Sequence, residues 1–336
     1  MQCHLLVPDL FWPSAAGGEP GRDLELPALE TILARGDRSR TGGSCLERWL
    51  AAAWGLPGEL PLAPFALLAD GGAPGADCWM HADPVHLKLH GNRLILADAS
   101  RLHIEAEEAR ELVAALNAQF APERLEFSAP RPQRWYVRLA GEPRLTAVPT
   151  AVVAGRNIEA FMPAGKDAAR WGRIANEAQM LLHSHPRNDA REASGALPVN
   201  SLWFWGAGRF RKLAAPYDAV WTDHPLAAGL AAAASTATRP LPGSAAEFLA
   251  QPGGENVLVV AAMPATAYGE ISTWTEAVIA LEHVWCEPLL AALGNGALKT
   301  LTLHGLGPDY GYTATFAPGD RYRFWRRRQP LNRYAV

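Results

Sequence analysis

Cysteine is scarce and scattered in this chain, since the four cysteines among its 336 residues form no C-x-x-C pair. Thiols this far apart predict neither a disulfide framework nor a zinc site, and we expect small buried thiols in a reducing compartment. Basic charge is not in excess either, because 31 Lys and Arg face 34 Asp and Glu for a net charge of -3. Nucleic-acid binding depends on clustered positive charge, so we expect no nucleic-acid partner.

Long apolar runs are also missing. The Ala-rich residues 226–238 are shorter and less hydrophobic than the roughly 20 residues that a membrane span needs. Residues 1–7 carry no Lys or Arg before Pro8, which argues against a secretory signal. We therefore expect a cytoplasmic protein with no membrane partner. At 49% hydrophobic and 19% charged, the chain can build one large core or two ordinary ones.

The hydrophobic pattern changes twice along the chain. Residues 85–96 alternate around a possible turn and predict a hairpin, and residues 105–120 show helical spacing, so this region is typical of an α+β unit. From residue 201 onward, short apolar strands such as 202–205 alternate with helical patterns, which predicts parallel strands joined by crossover helices. Residues 65–68 predict one more buried strand.

These patterns predict an α/β fold with a parallel sheet flanked by helices. We expect residues 1–75 and 196–336 to form this core, with an inserted α+β domain at residues 76–195. Near the end of the chain, residues 322–325 predict an edge strand, and the basic run that follows is typical of a solvated tail.

The densest polar cluster spans residues 183–192 and continues into a Trp-rich strand with a Gly-x-Gly turn. Guanidinium groups and glycine-flanked backbone N–H groups suit phosphate or carboxylate, so the cluster is a candidate anion site. The alternative is that the arginines pair with Asp189 and Glu192 while the tryptophans fill a core. The candidate ligand-binding residues are His185, Arg187, Asn188, Arg191 and Asn200.

The sequence contains only weak signals for metal binding. His183 and His185 form a His-x-His pair, and Asp223 and His224 follow a predicted strand, yet neither pair has the third and fourth ligands that define a metal centre. Asp223 could equally cap the next helix. We therefore expect no metal site and no cofactor.

A further cluster contains His81, Asp83 and His86. On a strand, the first two side chains share a face and the third lies opposite, so structural hydrogen bonding is the expected role.

Three segments carry a resemblance to a known family. They read ADPVHL at residues 82–87, NEAQMLLHSHP at 176–186 and PVNSLWFWGAG at 198–208. With them the chain resembles the bacterial RpfE-type regulatory proteins, often labelled phosphoglycerate-mutase-like, over nearly its whole length. Through that group it is more distantly similar to archaeal-type cofactor-independent phosphoglycerate mutases of the alkaline-phosphatase superfamily. The resemblance implies a phosphatase-like core interrupted by an inserted domain, two metal ions held by Asp and His, and a Ser or Thr that becomes phosphorylated.

The chain departs from that pattern at the chemistry itself. Leu26 stands where the nucleophilic Ser or Thr should precede the helix-opening proline, and leucine cannot accept a phosphoryl group. Met263-Pro264 follows one strand where an Asp ligand is expected, and His304 follows another where the Asp of an Asp-His motif is missing. Asp9 alone stands where a first metal ligand would fall.

We therefore expect a catalytically degenerate, phosphoglycerate-mutase-like protein with a regulatory role or a role in sensing a small phosphorylated anion. The second interpretation is an active metal-dependent phosphomutase or phosphatase that recruits unusual ligands. Its weak metal candidates are Asp9, His183, Asp223, His224 and His304. The third is a scaffold that binds a protein partner through some of its 12 tryptophans. An exposed patch containing Trp203 or Trp205 would favour this interpretation, and burial of these side chains would weaken it.

Overall fold

The computed structural model describes residues 1–13, 20–58, 60–251, 254–261, 263 and 268–335. The chain forms two compact units, one made of Met1–Trp54 with Leu213–Val336 and the other of Gly55–Lys212. We call them the core unit and the inserted unit, because the second interrupts the first in sequence. The domain boundaries predicted after residues 75 and 195 stay predictions.

The strands are numbered in chain order: β1 Gln2–Val7, β2 Asp37–Gly42, β3 Cys78–His90, β4 Arg93–Ala97, β5 Glu126–Arg131, β6 Arg134–Leu139, β7 Ser201–Arg209, β8 Ala219–Trp221, β9 Ala237–Arg239, β10 Asn256–Val260, β11 Thr300–Gly305 and β12 Tyr310–Phe316.

The α-helices are α1 Pro27–Arg35, α2 Leu46–Ala53, α3 Ala63–Ala69, α4 Ala106–Phe120, α5 Thr150–Val153, α6 Ala168–His183, α7 Pro186–Ala193, α8 Pro225–Ala233, α9 Ala245–Leu249, α10 Ile271–Leu281 and α11 Glu287–Gly294. A π-helical segment, Glu282–Cys286, joins the last two.

The core unit contains a sheet with the strand order β2-β12-β11-β1-β10-β8-β9. Strands β11, β1, β10, β8 and β9 run parallel to one another, whereas β12 is antiparallel to both of its neighbours. Along β1, Cys3, Leu5 and Val7 lie on one face and are buried in the main hydrophobic cluster of this unit. The parallel sheet with connecting helices confirms the predicted α/β fold class.

The helical stretch Ile271–Gly294 is long and apolar enough, by length and composition alone, to cross a membrane. Its residues Trp274, Val278, Leu281 and Trp285 instead pack in the hydrophobic cluster of the core unit. A buried core helix of a soluble α/β protein has this same composition.

The inserted unit contains an antiparallel sheet ordered β4-β3-β6-β5, with β7 paired to β3. The hairpin of β3 and β4 and the helix α4 confirm two predicted elements. Helix α4 begins with a capping box between Glu105 and Glu108, and it buries Leu112 and Leu116.

Three local predictions are wrong. Residues 65–68 belong to helix α3, which begins near Pro64, because a short apolar run buried on all sides has no periodicity to distinguish helix from strand. Residues 202–205 lie in β7, which pairs antiparallel with β3 rather than joining the parallel sheet. Residues 322–325 form no strand, and the side chains of Phe324 and Trp325 are exposed.

Candidate functional site

The N-terminus of helix α1 is the position at which the resemblance places a nucleophile. Leu26 is the N-cap residue and is fully buried, and Pro27 is the first residue of the helix. Proline suits this position because its φ angle is already helical and its missing N–H leaves no free donor. A leucine at the N-cap has no side-chain oxygen to accept a hydrogen bond from the first turn.

A distant carboxylate supplies that acceptor. The backbone N–H of Ala28 donates to Glu282 Oε1 at 2.6 Å, and that of Leu29 donates to Oε2 at 2.8 Å. The N–H of Glu30 donates to the carbonyl of Leu26, so the first-turn donors of α1 all have partners. Glu282 therefore caps α1 from the π-helical segment.

Glu282 is completely buried. Burial raises the pKa of this carboxyl, and the two bonds from Ala28 and Leu29 oppose that rise by favouring the charged form. The partial positive charge at a helix N-terminus also favours an anion there. In effect, the anion-binding end of α1 is already occupied by a side chain of the same protein.

Four of the weak metal candidates lie at separate contacts in the core unit, whereas His183 is the last residue of helix α6 in the inserted unit. Asp9 follows β1 with a left-handed backbone conformation, and its carbonyl accepts a bond from the Trp274 indole at 3.0 Å. The Asp223 carboxylate accepts the N–H of Leu241 at 3.1 Å, and the N–H of His224 donates to a threonine hydroxyl. Asp223 thus does not act as the helix N-cap that the sequence also allowed.

Within the part of the chain that the structure describes, no group of three or more His, Cys, Asp or Glu side chains could hold a metal ion. The two-metal centre implied by the resemblance needs several carboxylates and imidazoles around a shared point. The described residues do not fit such a centre. Pro264, where another ligand was expected, lies outside the described residues.

His304 instead stacks against a histidine that sequence reasoning missed. The ring centroids of His4 and His304 are 5.4 Å apart with planes 10° from parallel, and His4 Nδ1 lies 3.1 Å from His304 Nε2. The Trp49 ring lies 4.8 Å from His304, and the Thr313 hydroxyl lies 3.2 Å from its Nδ1. Burial, together with repulsion from His4, lowers the pKa of His304 to about 4.

The two predicted anion-binding arginines both pair with helix α4. Arg187 forms a two-pronged ion pair with Glu111. Arg191 donates to Glu108 at 2.6 Å and to the backbone carbonyls of Leu197 and Leu102. The pairing partners suggested as an alternative, Asp189 and Glu192, are therefore wrong, although the idea of structural ion pairs is right.

The other predicted ligand-binding side chains bond to the backbone. Asn188 donates to the carbonyls of Leu182 and Val199 and accepts the N–H of Val199. Asn200 exchanges two bonds with the backbone of Leu87, at 2.8 and 3.0 Å. His185 is the N-cap of α7. Four of the five candidates cap or lie on helix α7, and Asn200 directly precedes β7. The anion site itself stays a prediction.

A second buried polar cluster lies on β3 and β7. His81 stacks on Trp205 with ring centroids 4.1 Å apart, and its Nδ1 lies 3.5 Å from Asp83 Oδ1. Asp83 accepts bonds from the Trp205 indole at 2.6 Å and from the Thr150 hydroxyl. His86 lies apart and bonds to a backbone carbonyl, as the strand alternation predicted.

Trp203 and Trp205 are only 5% and 6% exposed. Their indole N–H groups donate to Val148 and Asp83. Both side chains therefore fill the inserted unit, and their burial weakens the protein-scaffold interpretation.

Comparison with known proteins adds an independent observation. Residues 75–188 match the family model of 2,3-bisphosphoglycerate-independent phosphoglycerate mutase. A probable enzyme of that name from Geobacter sulfurreducens is 29% identical over 147 residues, which make up 43% of this chain and 36% of that protein. One from Methanosarcina barkeri is 32% identical over 117 residues, or 34% of this chain and 29% of that protein. The aligned segments thus span about a third of those relatives.

Among solved structures, the PH0037 protein from Pyrococcus horikoshii has a TM-score of 0.56 and 14% sequence identity. The likeness covers 98% of this chain and 91% of that one, and it shows a shared fold. The likeness to phosphoglycerate mutases themselves comes from the sequence matches.

Proposed function

We propose that this chain is a catalytically degenerate member of the phosphoglycerate-mutase-like proteins, cytoplasmic and regulatory in the manner of the bacterial RpfE-type proteins that it resembles. The observation that carries the proposal is the pairing of Leu26 with Glu282 at the start of α1. A phosphoryl-transfer enzyme of the implied kind needs a hydroxyl at that helix end.

Leu26 and Glu282 together remove two things that phosphoryl transfer needs at this helix end, a nucleophilic hydroxyl and free N–H groups for the anion. Leu26 offers no oxygen to form a phosphoryl ester. Glu282 also places a carboxylate on the N–H groups of Ala28 and Leu29, where a second anion would meet electrostatic repulsion. The described residues group no metal ligands that could offset this repulsion.

Turnover of 3-phosphoglycerate tests the catalytic half of the proposal. We expect that the purified protein with added manganese forms no 2-phosphoglycerate. Phosphorus NMR measures this product. Leu26→Ser should not restore turnover, because the hydroxyl would still lack metal ligands and face Glu282. Turnover that coincides with stoichiometric metal and is lost in Asp223→Ala would instead establish the active phosphomutase interpretation.

The ligand-sensing half depends on the surface around α7. His185 and Arg187 are partly exposed there, and among the carboxylates that the structure describes only that of Glu111 forms an ion pair with the guanidinium of Arg187. A phosphorylated acid could compete for that guanidinium, because phosphate oxygens accept the same bidentate bonds. Calorimetric titration with 3-phosphoglycerate should show heat that Arg187→Gln abolishes, and absence of heat in the wild type would remove this half.

A further inference from the structure

One short segment of the core unit, residues 322–328, exposes aromatic side chains next to arginines; we call it the aromatic–arginine segment. Tyr322, Phe324 and Trp325 are 61%, 75% and 67% exposed, and no other tryptophan among the described residues is exposed to this extent. The rings of Phe324 and Trp325 lie edge to face with centroids 5.4 Å apart. Aromatic rings in water forgo the free energy that burial would give them. Large apolar side chains exposed side by side are therefore typical of an interaction surface.

Contacts with the rest of the core unit hold this segment in place. Arg323 forms ion pairs with Asp320 at 3.0 Å and with Asp37 at 2.6 Å. Arg326 also reaches Asp37, at 3.5 Å. Beyond the segment, Leu331 is 1% exposed and packs in the hydrophobic cluster of the core unit. A partner that binds a segment held in this way loses less conformational entropy than one that must order a flexible chain.

Positive charge is concentrated in this part of the chain. Residues 321–336 contain six arginines and no Asp or Glu, whereas the whole chain has a net charge of -3, so residues 1–320 carry a net charge of -9. Arg327 and Arg328 are exposed, and neither forms an ion pair with a residue that the structure describes. Glu30 lies close enough for the charge of Arg328 to lower its pKa, but the two groups are not bonded. Two guanidinium groups thus remain available beside the exposed rings.

We propose that the aromatic–arginine segment binds an acidic peptide segment of a partner protein. An apolar side chain of the peptide packs on Phe324 and Trp325, and its carboxylates accept hydrogen bonds from Arg327 and Arg328. A planar carboxylate matches the fork of an arginine. Trp, Tyr and Arg are also the residues that contribute most to the affinity of protein interfaces. The proposal goes beyond the proposed function and does not depend on it, because it uses neither the start of α1 nor the surface around α7.

Two larger polyanions fit this charge distribution less well. Single-stranded nucleic acid would stack its bases on the rings, and an anionic membrane would take the rings into its interface. Both carry negative charge far beyond the segment and would meet the net charge of -9 on the other residues. A short peptide contacts the segment alone, and at physiological salt charges more than about 8 Å away are largely screened from it.

Fluorescence anisotropy with three labelled synthetic peptides tests the chemistry. The first has a central phenylalanine flanked on both sides by glutamates, the second replaces every glutamate with glutamine, and the third replaces the phenylalanine with serine. We expect the first peptide to bind at least about tenfold more tightly than either of the others. Equal binding of the glutamine peptide would overturn the role of the arginines, and equal binding of the serine peptide would overturn the role of the exposed rings.

Two double variants place the binding on this segment. Phe324→Ser with Trp325→Ser removes the exposed rings, and Arg327→Gln with Arg328→Gln removes the two unpaired charges. All four side chains are exposed, so each double variant should keep the wild-type circular dichroism spectrum. Each should weaken binding of the first peptide by about tenfold or more.

The matched control lies in the β3–β4 hairpin of the inserted unit, where Leu89 is 70% exposed and Arg93 is also exposed. Leu89→Ser with Arg93→Gln should bind the first peptide like the wild type. Failure of the wild type to bind this peptide, or unchanged affinity in both double variants, would overturn the proposal. Tighter binding of oligothymidylate or of phosphatidylglycerol vesicles would also overturn it, because the segment would then serve another class of partner. These outcomes leave the turnover experiments on the proposed function unaffected.

Discussion

Glu282 and Ala28 lie 254 positions apart in the chain and are joined by a hydrogen bond of 2.6 Å. Through this bond and its neighbour at Leu29, a buried carboxylate completes a helix whose own N-cap residue, Leu26, has no polar atom in its side chain. The loss of a catalytic hydroxyl and the gain of a structural carboxylate are thus two aspects of one local arrangement. It stabilises the fold at the place where the resemblance implies catalysis.

Substitution of Glu282 should destabilise the protein. Glu282→Gln retains one carbonyl oxygen for two N–H donors, so one buried donor loses its partner, at a cost of about 1–3 kcal/mol in the free energy of unfolding. Glu282→Ala leaves both donors unsatisfied and creates a cavity, so its cost should be larger. Urea denaturation followed by circular dichroism measures both values.

The matched control is Glu287→Gln, five residues further along the same helical stretch. Glu287 pairs with His283 on a half-exposed surface, so this change should have little effect on stability. Equal stability of the Glu282 and Glu287 variants would contradict the capping role of Glu282.

His304 should make stability depend on pH in the acid range. Its folded-state pKa of about 4 lies below the ordinary value of 6.5. As the pH falls from about 6.5 to about 4, the unfolded chain therefore binds a proton before the folded chain does. The free energy of unfolding should fall by up to about 3 kcal/mol across this window through His304, and this group should cause no further loss below about pH 4.

Urea midpoints measured from pH 7 to pH 4 test this dependence. His304→Phe keeps an aromatic ring beside His4 and Trp49 but cannot bind a proton, so its stability should fall less steeply over the same window. His90→Phe, at an exposed histidine in the β3–β4 hairpin, should keep the wild-type slope. Parallel curves for wild type and His304→Phe would show that another group controls the acid transition.

The sequence predicts those features of this arrangement that depend on neighbouring residues, and it misses those that depend on residues far apart in the chain. The helix-opening Pro27 and the missing hydroxyl at Leu26 are adjacent, so the sequence shows the departure directly. Glu282 gives no such signal, because its partners lie at the other end of the chain and one glutamate on a helix resembles any other. Likewise, His4 is a single polar residue in a buried strand until the fold stacks it on His304.

Pairing partners and strand direction are hard to predict from sequence for the same reason. The sequence offers Asp189 and Glu192 as neighbours of Arg187 and Arg191, whereas the actual partners of these arginines lie on α4. Strand β7 is buried on both faces, and that composition is also typical of a parallel strand in an α/β core. Composition reports burial, but the direction of a strand is decided by distant partners.

His81 should tolerate replacement by phenylalanine. Its two ring nitrogens are buried without hydrogen bonds among the described residues, while its ring stacks on Trp205. His81→Phe keeps the stacking and removes two polar atoms without hydrogen bonds, but it also gives up the 3.5 Å contact of Nδ1 with Asp83, so the free energy of unfolding should change by less than about 1 kcal/mol. His86→Phe is the counterpart, because it loses the 2.9 Å bond to the Pro198 carbonyl and should cost about 1 kcal/mol. If His81→Phe were less stable than His86→Phe, His81 would make an interaction that the fold needs.

Arg191 and Arg187 lie one turn apart on α7 and should differ sharply when each is changed to glutamine. The Arg191 side chain is 4% exposed and pairs with the partly buried Glu108, so its loss leaves that carboxylate and two backbone carbonyls without their donor, at a cost of about 3 kcal/mol. The side chains of Arg187 and its partner Glu111 are each 38% exposed. Water can solvate Glu111 once the arginine is removed, so Arg187→Gln should change the free energy of unfolding little. Urea denaturation of both variants gives the comparison, with Arg191→Lys as a test of charge without the fork. If Arg187→Gln were the more damaging change, the division between a structural Arg191 and a ligand-accessible Arg187 would be wrong, and with it the choice of Arg187 for anion binding.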